Sequence, residues 1–303
     1  MTVAQSAICA EGGNYAMFVT LRVAQGGAAA VRRAAAKLPA LTRAVADRVG
    51  EGALVSALGI GAEAWDAVTG LPKPPGLVPF APLADGERVA PATPADLFLH
   101  VHSRRHDANM VLVREFLRVL AGGATVVEEV MGYRHLDSRD LTGFVDGTEN
   151  PQGEERAEVA LVADGGPFVG GSYVSIQRYV HNLTRWEGLP VSEQEQCIGR
   201  TKETDEELDD DVKPPTAHIA RVVIEEDGDE LEVLRHSLPY GGSAENGLYF
   251  VAYCASPEPF RRMLERMVLR DEDGNYDRLL DFSRPVTGAA FFTPSVETLE
   301  ALA

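Results

Sequence analysis

One carboxylate stands between two glycines near the middle of the chain. The stretch runs Gly143-Phe-Val-Asp146-Gly147 and continues Thr-Glu-Asn-Pro151. Glycine lets a backbone approach a ligand closely and adopt conformations barred to other residues. Asp146 could therefore be held in a turn and act as a general base. Asp-Gly and Asn-Pro are also ordinary turn dipeptides, so the motif alone leaves a purely structural turn open.

A histidine follows an acidic, proline-rich stretch. The residues are Asp209-Asp-Asp-Val-Lys-Pro-Pro-Thr-Ala-His218, directly before a predicted strand. Neutral imidazole is the usual protein ligand of haem iron. A lone histidine at the start of a strand is more commonly structural, and an acidic run is more commonly a solvated loop than a metal site. His218 is thus a candidate ligand that needs support from other segments.

An arginine and a serine share one face of a later predicted strand. Side chains alternate along a strand, so in Arg235-His236-Ser237 the first and third point together and His236 points away. An arginine beside a carboxylate in a pocket suits a small polar oxidant. The alternative is a surface arginine in a salt bridge.

Two other histidines, His100 and His102, also share a strand face, and His106 follows them. They could bind a metal ion, but no cysteine or carboxylate lies at motif spacing. The sequence favours a structural role for all three.

Strands and helices alternate along both halves of the chain. In the first half the pattern predicts strands and helices, in order, at Tyr15–Val23, Ala28–Ala46 (helix), Leu54–Ile60, Asp96–His102, Ala108–Leu120 (helix) and Ala124–Gly132. In the second half it predicts Ser172–Val180, Ser192–Arg200 (helix), Ile219–Glu225, Leu231–His236, Leu248–Cys254, Pro257–Leu269 (helix) and Ala289–Phe292.

Each half therefore has roughly the element order of a ferredoxin-like unit. We predict an α+β fold of tandem ferredoxin-like units, with antiparallel sheets and packed helices arranged like a dimeric α+β barrel. The first unit would span residues 1–140 and the second residues 141–303, and the second would carry most of the site.

Charge and cysteine content exclude several classes of partner and site. The 46 acidic residues outnumber the 28 basic ones, giving a net charge of -18, which disfavours nucleic acid and anionic membranes. Cys9, Cys197 and Cys254 are far apart, without a CxxC pair, so neither a disulfide framework nor a zinc site is expected. No leader and no apolar stretch approaching ~20 residues is visible. We expect a cytoplasmic protein.

Five segments in order resemble the B-type dye-decolourising peroxidases, which are haem b enzymes with two ferredoxin-like halves. The segments are GFVDGTENP, IGRTK…ELDDDVKPPTAH, RHSLPYG, GLYFVAYCASPEPFRRML and LLDFSRPVTGAAFFTPS. The resemblance covers residues 132–295 and, more weakly, the first half.

This resemblance implies catalytic roles on the distal side of the haem, where peroxide would bind. Asp146 matches the distal aspartate and Arg235 the distal arginine. Ser237 stands where many members have asparagine, so the contribution of a third distal side chain is open. Because Arg235 is a cation, we expect it to lower the pKa of Asp146 and to favour an acidic optimum for the oxidation of organic donors, roughly pH 4 to 5. Burial of the carboxyl group would oppose this by raising its pKa.

The same resemblance implies the cofactor-binding residues. His218 matches the proximal ligand of the haem iron, and Asp281 matches a carboxylate that hydrogen-bonds this histidine. Gly147 would let the backbone approach the haem. Phe250 packs near the haem or is an ordinary core residue.

The implied function is the reduction of hydrogen peroxide coupled to one-electron oxidation of organic donors such as dyes and phenols. One alternative is a haem-binding or haem-iron-releasing protein with incidental peroxidase activity. Another is a ferredoxin-like assembly module without a cofactor. We expect a homo-oligomer, and the C-terminal residues Glu300–Ala303 show no tail for packaging in a protein shell.

Overall fold

A computed structural model describes residues 2–164, 166–226 and 228–303. The strands are β1 Tyr15–Val23, β2 Val55–Gly61, β3 Leu83–Asp85, β4 Arg88–Ala90, β5 Leu97–Ser103, β6 Ala124–Tyr133, β7 Ser172–His181, β8 Glu225–Glu226, β9 Asp229–Glu230, β10 Leu234–Arg235, β11 Leu238–Gly241, β12 Asn246–Cys254, β13 Ser283–Pro285 and β14 Ala289–Thr293.

The helices are α1 Ser6–Cys9, α2 Ala28–Val49, α3 Trp65–Thr69, α4 His106–Leu120, α5 Glu155–Ala160, α6 Leu183–Glu187, α7 Val191–Ile198, α8 His218–Val222, α9 Glu258–Val268 and α10 Val296–Glu300. Short 3-10 turns lie at Gly166–Phe168 and Arg278–Asp281. Within the described ranges, no helix has both the length and the apolar character needed to cross a membrane.

Two four-stranded antiparallel units with the same strand order form the main sheet. The first unit runs β6-β1-β5-β2 and the second β14-β7-β12-β11, which is the order of a ferredoxin-like unit in both cases. Their edges pair, β2 with β14 and β11 with β6, so the sheet closes into a barrel. The predicted α+β barrel-like fold is confirmed. The predicted boundary after residue 140 lies in the connection between β6 and α5 and stays a prediction.

Side chains of the first unit alternate between the barrel interior and an outer layer. On β5, His100 and His102 point inward with the Phe98 ring, while Leu99 and Val101 pack outward. The outward residues belong to the larger apolar core, which α2 and α4 cover. This alternation follows from the period of two along a strand, and it places histidines inside the barrel.

The second unit uses its outer face for a different purpose. On β7, Val174 and Ile176 pack inside the barrel, whereas Ser175, Gln177 and Tyr179 line a large outer cavity. Helices α8 and α9 pack on each other and cover this cavity from outside. The fold therefore holds a large cavity between the second sheet and its helices.

The predicted strand Ile219–Glu225 is wrong, because helix α8 occupies its first residues. Helix α9 holds this short helix by its carbonyl groups: Arg266 donates to Ala220 O at 2.9 Å and to Val223 O at 3.0 Å. Unsatisfied carbonyls at a helix C-terminus accept such donors readily. Tertiary packing thus overrides the strand preference of the branched side chains.

The predicted strand Leu231–His236 is shorter than expected and is interrupted. Strand β10 ends at Arg235, and the chain resumes pairing with β12 at Leu238. In the gap, His236 N donates to Val251 O at 2.8 Å, and Val251 N donates to Ser237 Oγ at 3.3 Å. The serine hydroxyl replaces a backbone acceptor, so the strand bends without losing that hydrogen bond.

Gly247 is expected to be essential for the pairing of β12 with β7. It pairs with Val180, and a Cβ atom at this position would overlap the Tyr179 carbonyl. Gly247→Ala should lower the free energy of unfolding by about 3 kcal/mol, the upper range for overpacking, as measured by urea denaturation. Gly242→Ala is the matched control, because nothing lies within 4 Å of its added methyl group. Equal stability of the two variants would contradict this prediction.

Candidate functional site

The loop that carries Asp146 is tightly folded. Arg139 and Val145 form an isolated antiparallel bridge, and Asp146 N donates to Ser138 O at 2.9 Å. Gly143 and Gly147 have φ angles of 90° and 85°. Other residues rarely adopt this region, so the predicted need for glycine on both sides of Asp146 is confirmed.

Asn150 connects this loop to the strand that carries Arg235. Its Nδ2 donates to Arg235 O at 3.0 Å, and Arg235 N donates to its Oδ1 at 2.8 Å. The side-chain amide thus pairs with both backbone groups of Arg235 and joins the Asp146 loop to β10. Sequence reasoning missed this role, since Asn-Pro was considered only as a turn dipeptide.

Arg235 and Ser237 line the outer cavity together with Asp146, as their spacing predicts. His236 does not line that cavity, and its ring is buried toward α1. The guanidinium of Arg235 makes no hydrogen bond or ion pair with any residue in the described part of the chain. Its donors remain available to a ligand.

His218 is held by Asp277 and not by Asp281, so the predicted role of Asp281 is wrong. His218 Nδ1 lies 2.6 Å from Asp277 Oδ2, and Asp277 is completely buried. The other oxygen, Oδ1, accepts from Leu279 N at 2.9 Å and begins the 3-10 turn. That turn directs Asp281 away, where it accepts a hydrogen bond from Tyr276 at 3.2 Å.

One cavity brings the candidate residues together. It contains about 1600 Å³ of empty space, part of it open to solvent. The sequence-predicted residues that line it are Asp146, Gly147, His218, Arg235, Ser237 and Phe250. Apolar side chains form much of the remaining wall, among them Val222, Leu231, Leu248, Phe260, Met263, Met267 and Leu279. With Nδ1 engaged, His218 can present only Nε2 to this space.

The electrostatics of Asp146 differ from the sequence-based expectation. Its removal from bulk water raises the pKa of the carboxyl group above the usual value, and nearby Asp140 adds to this effect. The Arg235 cation acts in the opposite direction, as expected, but does not outweigh desolvation. The expected net lowering of the pKa is therefore wrong.

His181 and Asp140 form a second polar pair in the cavity wall. His181 Nε2 lies 3.1 Å from Asp140 Oδ1, and Nδ1 lies 2.9 Å from Ser283 Oγ. Burial would raise the pKa of Asp140, but hydrogen bonds from His181 and Thr142 outweigh it and hold the pKa below its usual value. No sequence signal links these residues, which are 41 positions apart.

The histidines near residue 100 do not form a metal site. His106 lies on α4, where its ring packs near Tyr15, away from His100 and His102. Among the residues that the structure describes, no group of three His, Cys, Asp or Glu side chains is arranged to hold a metal ion.

Comparison with known proteins assigns both halves to one family. The family model for the N-terminal part of Dyp-type peroxidases matches residues 5–134, and the model for the C-terminal part matches residues 137–298. A dye-decolorizing peroxidase of Rhodococcus erythropolis is 43% identical over 289 residues, which cover 94% of this chain and 85% of that protein.

Solved structures agree with this assignment. The crystal structure of a Dyp-type peroxidase protein from Shewanella oneidensis has a TM-score of 0.96 and 39% identity and covers 99% of both chains. A variant of DypB from Rhodococcus jostii RHA1, solved in complex with heme, has a TM-score of 0.94 and 40% identity. It also covers 99% of both chains.

The two charged neighbours of Asp146 should move its pKa in opposite directions. Arg235→Leu removes a cation and should raise the pKa further, whereas Asp140→Asn removes an anion and should lower it. Carbon-13 NMR titration of carboxyl groups in the haem-free protein measures both shifts. Unchanged values in both variants would show that neither charge acts on Asp146.

Proposed function

We propose that His218 is the ligand of haem b in the outer cavity. The premise is that the chain belongs to the Dyp-type peroxidase family and is a dye-decolourising haem peroxidase. The observation that carries the proposal is that an imidazole with a free nitrogen and an aspartate–arginine pair line one largely apolar cavity. His218 lies on α8, Asp146 on the loop between β6 and α5, and Arg235 on β10.

The residues present fit a haem group. A flat apolar ring needs apolar walls, which Leu248, Phe250, Met263 and Met267 provide. An iron ion needs a neutral imidazole with a free nitrogen, which His218 provides through Nε2. When bound, haem supplies an iron centre that binds peroxide and accepts oxidising equivalents from it.

Asp277 would fix the proximal histidine. Its Oδ2 accepts a hydrogen bond from His218 Nδ1 at 2.6 Å, which favours the tautomer with the proton on Nδ1 and a bare Nε2. The carboxylate also gives the imidazole partial anionic character. An orienting carboxylate of this kind raises the basicity of the ligand.

Asp146 and Arg235 would act directly on hydrogen peroxide. Asp146, in its ionised form, would accept a proton from one peroxide oxygen at a carboxylate oxygen and return it to the departing oxygen. Arg235 would stabilise the negative charge that develops on the departing oxygen. This role is supported by the guanidinium N–H groups of Arg235, which line the cavity and have no hydrogen-bond partner among the described residues.

Further properties are proposals that rest on smaller observations. We propose that organic donors such as dyes and phenols supply electrons from outside the cavity. Exposed apolar side chains on β6, namely Val126, Val127 and Met131, support homo-oligomer formation. All three cysteines are unpaired, which supports a reducing compartment such as the cytoplasm.

Haem titration tests the assignment of the ligand. His218→Ala should lose the histidine-ligated absorption spectrum, whereas His181→Ala should retain it. Asp277→Asn should raise the reduction potential by about 60 mV, equivalent to a tenfold change in the relative affinity for the two oxidation states. Asp281→Asn is the matched control and should leave the potential unchanged. A larger shift in Asp281→Asn, or metal-free porphyrin as the main product of turnover, would contradict the proposal.

Peroxide kinetics test the two distal side chains. Arg235→Leu should lower kcat/KM for peroxide by about 10²–10³, because a fixed charge-stabilising donor is lost. Asp146→Asn should lower it by only about tenfold, since ordered water can replace part of a proton shuttle. Haem content must be equal in both variants. A greater loss in Asp146→Asn would reverse the assigned order of importance.

A further inference from the structure

Three histidine rings lie together inside the barrel, directly behind the wall that carries Arg235. The ring centroids of His100, His102 and His236 are 5.0 to 5.6 Å apart. Their exposed fractions are 1%, 3% and 7%. The proposed function uses none of them.

Hydrogen bonds to α1 fix the tautomers of two rings. His236 Nε2 lies 2.7 Å from Ile8 O, and His102 Nε2 lies 3.4 Å from Ala7 O. A carbonyl oxygen only accepts, so each Nε2 carries the hydrogen. Desolvation lowers the pKa of His102 to about 4 and that of His236 to about 3, so both rings are neutral. Each Nδ1 is then a bare acceptor.

Two fully buried nitrogens of this cluster have no hydrogen-bond partner among the described residues. In the described part of the chain, His102 Nδ1 and His100 Nε2 are fully buried without any hydrogen bond, while His100 Nδ1 lies 3.0 Å from Tyr253 Oη. A buried polar atom without a partner is costly, because it has given up its hydrogen bond to water. Small molecules with O–H groups satisfy such atoms in polar cavities.

The space beside these rings, here called the histidine pocket, continues to both the catalytic wall and the surface. Its inner wall includes Asp146, Gly147, Arg235 and Ser237, which also line the outer cavity, where haem is proposed to bind. Its outer part is lined by the exposed residues Glu11, Arg134 and Gln152, and by the partly buried His135 and Arg139.

A buried cation, Arg156, lies beside the histidine rings. Arg156 lines the pocket and donates to the carbonyl groups of Cys9, Ala10 and Pro151. It makes no ion pair with a carboxylate in the described ranges. Its charge disfavours imidazolium beside it, so the rings remain acceptors.

Peroxide reduction requires a supply of protons. Conversion of one hydrogen peroxide molecule to two water molecules takes up two electrons and two protons. An organic donor that gives electrons from outside the cavity releases its protons to solvent. Those protons must reach the distal side by a polar path.

We propose that the histidine pocket binds ordered water that carries protons between solvent and Asp146. His102 and His236 act as positioning residues: each Nδ1 accepts one hydrogen of a water molecule and thereby orients it. Protons enter at the Glu11–His135 end and pass along hydrogen-bonded water to a carboxylate oxygen of Asp146. The inference rests on the proposed role of Asp146.

His102→Phe tests the proposal without touching the catalytic wall. It removes the acceptor while keeping a ring of similar size, and His102→Asn restores an acceptor close to the Nδ1 position. His106→Phe, on α4, is the matched control. At saturating peroxide, His102→Phe should lower kcat about tenfold and enlarge the solvent deuterium isotope effect on kcat. The reason is that the variant orients the water molecules of the histidine pocket less well, so they transfer protons more slowly. KM for peroxide should not change, and His102→Asn should recover most of the loss.

A high-resolution crystal structure of the haem-free wild-type protein gives a second readout. Ordered water within hydrogen-bond distance of His102 Nδ1 and His236 Nδ1 is expected, and His102→Phe should lose the first of these. A dry pocket in the wild type would overturn the proposal, even if the variant failed to fold.

Two kinetic outcomes would also overturn it. An unchanged kcat and isotope effect in His102→Phe would show that the pocket supplies no protons. A raised KM for peroxide alone would make it a holding site for peroxide. Failure of the haem-site assignment is distinguishable, because it would appear in His218→Ala and Arg235→Leu and not in the water structure.

Discussion

Both the histidine pocket and the outer cavity depend on the alternation of side chains in the closed sheet. Because successive side chains of a strand point to opposite faces, one strand lines the barrel interior with one set of side chains and the outer cavity with the other. Arg235 and Ser237 face the cavity, while His236 between them faces the interior. On β12, Phe250 lines the cavity and Tyr249 packs inside. A register shift by one residue would exchange the two sets, so closure of the barrel protects the chemistry as well as the stability.

Short hydrogen bonds then set the positions that closure leaves free. Asn150 joins the Asp146 loop to the peptide of Arg235, and Asp277 joins His218 to the start of a 3-10 turn. Asp277 uses its two oxygens for two different partners, so its burial leaves neither oxygen unpaired. Loss of either partner would leave a buried carboxylate under-satisfied, which is costly. Asp277 therefore positions His218 and stabilises the local fold at the same time, and a substitution there would affect both.

The sequence was most informative where elements are long and regular. Tyr15–Val23 is predicted without error, because nine consecutive residues rich in β-formers leave little ambiguity. Ile219–Glu225 failed, because a short segment follows its packing partners more than its own preferences. Asp281 and Asp277 lie in or beside the same matching segment, and only the direction of a 3-10 turn decides which of them reaches His218. His181 was missed because its partner, Asp140, is near only in space.

The buried titratable groups oppose one another as the pH falls. Asp146 has a raised pKa in the folded protein, so it takes up a proton before an unfolded aspartate would. Protonation of Asp146 therefore stabilises the fold relative to the unfolded chain but removes the catalytic base. His102 and His236 act in the opposite direction: unfolded histidines take up protons near pH 6.5, while these rings stay neutral to about 4 and about 3. Their contribution to stability is complete above about pH 6.5 and declines as the pH falls toward the folded values. The two rings thus remain acceptors while Asp146 takes up its proton, and the raised pKa of Asp146 places the acid limit of the peroxide step at a higher pH than a lone, solvated carboxylate beside an arginine would.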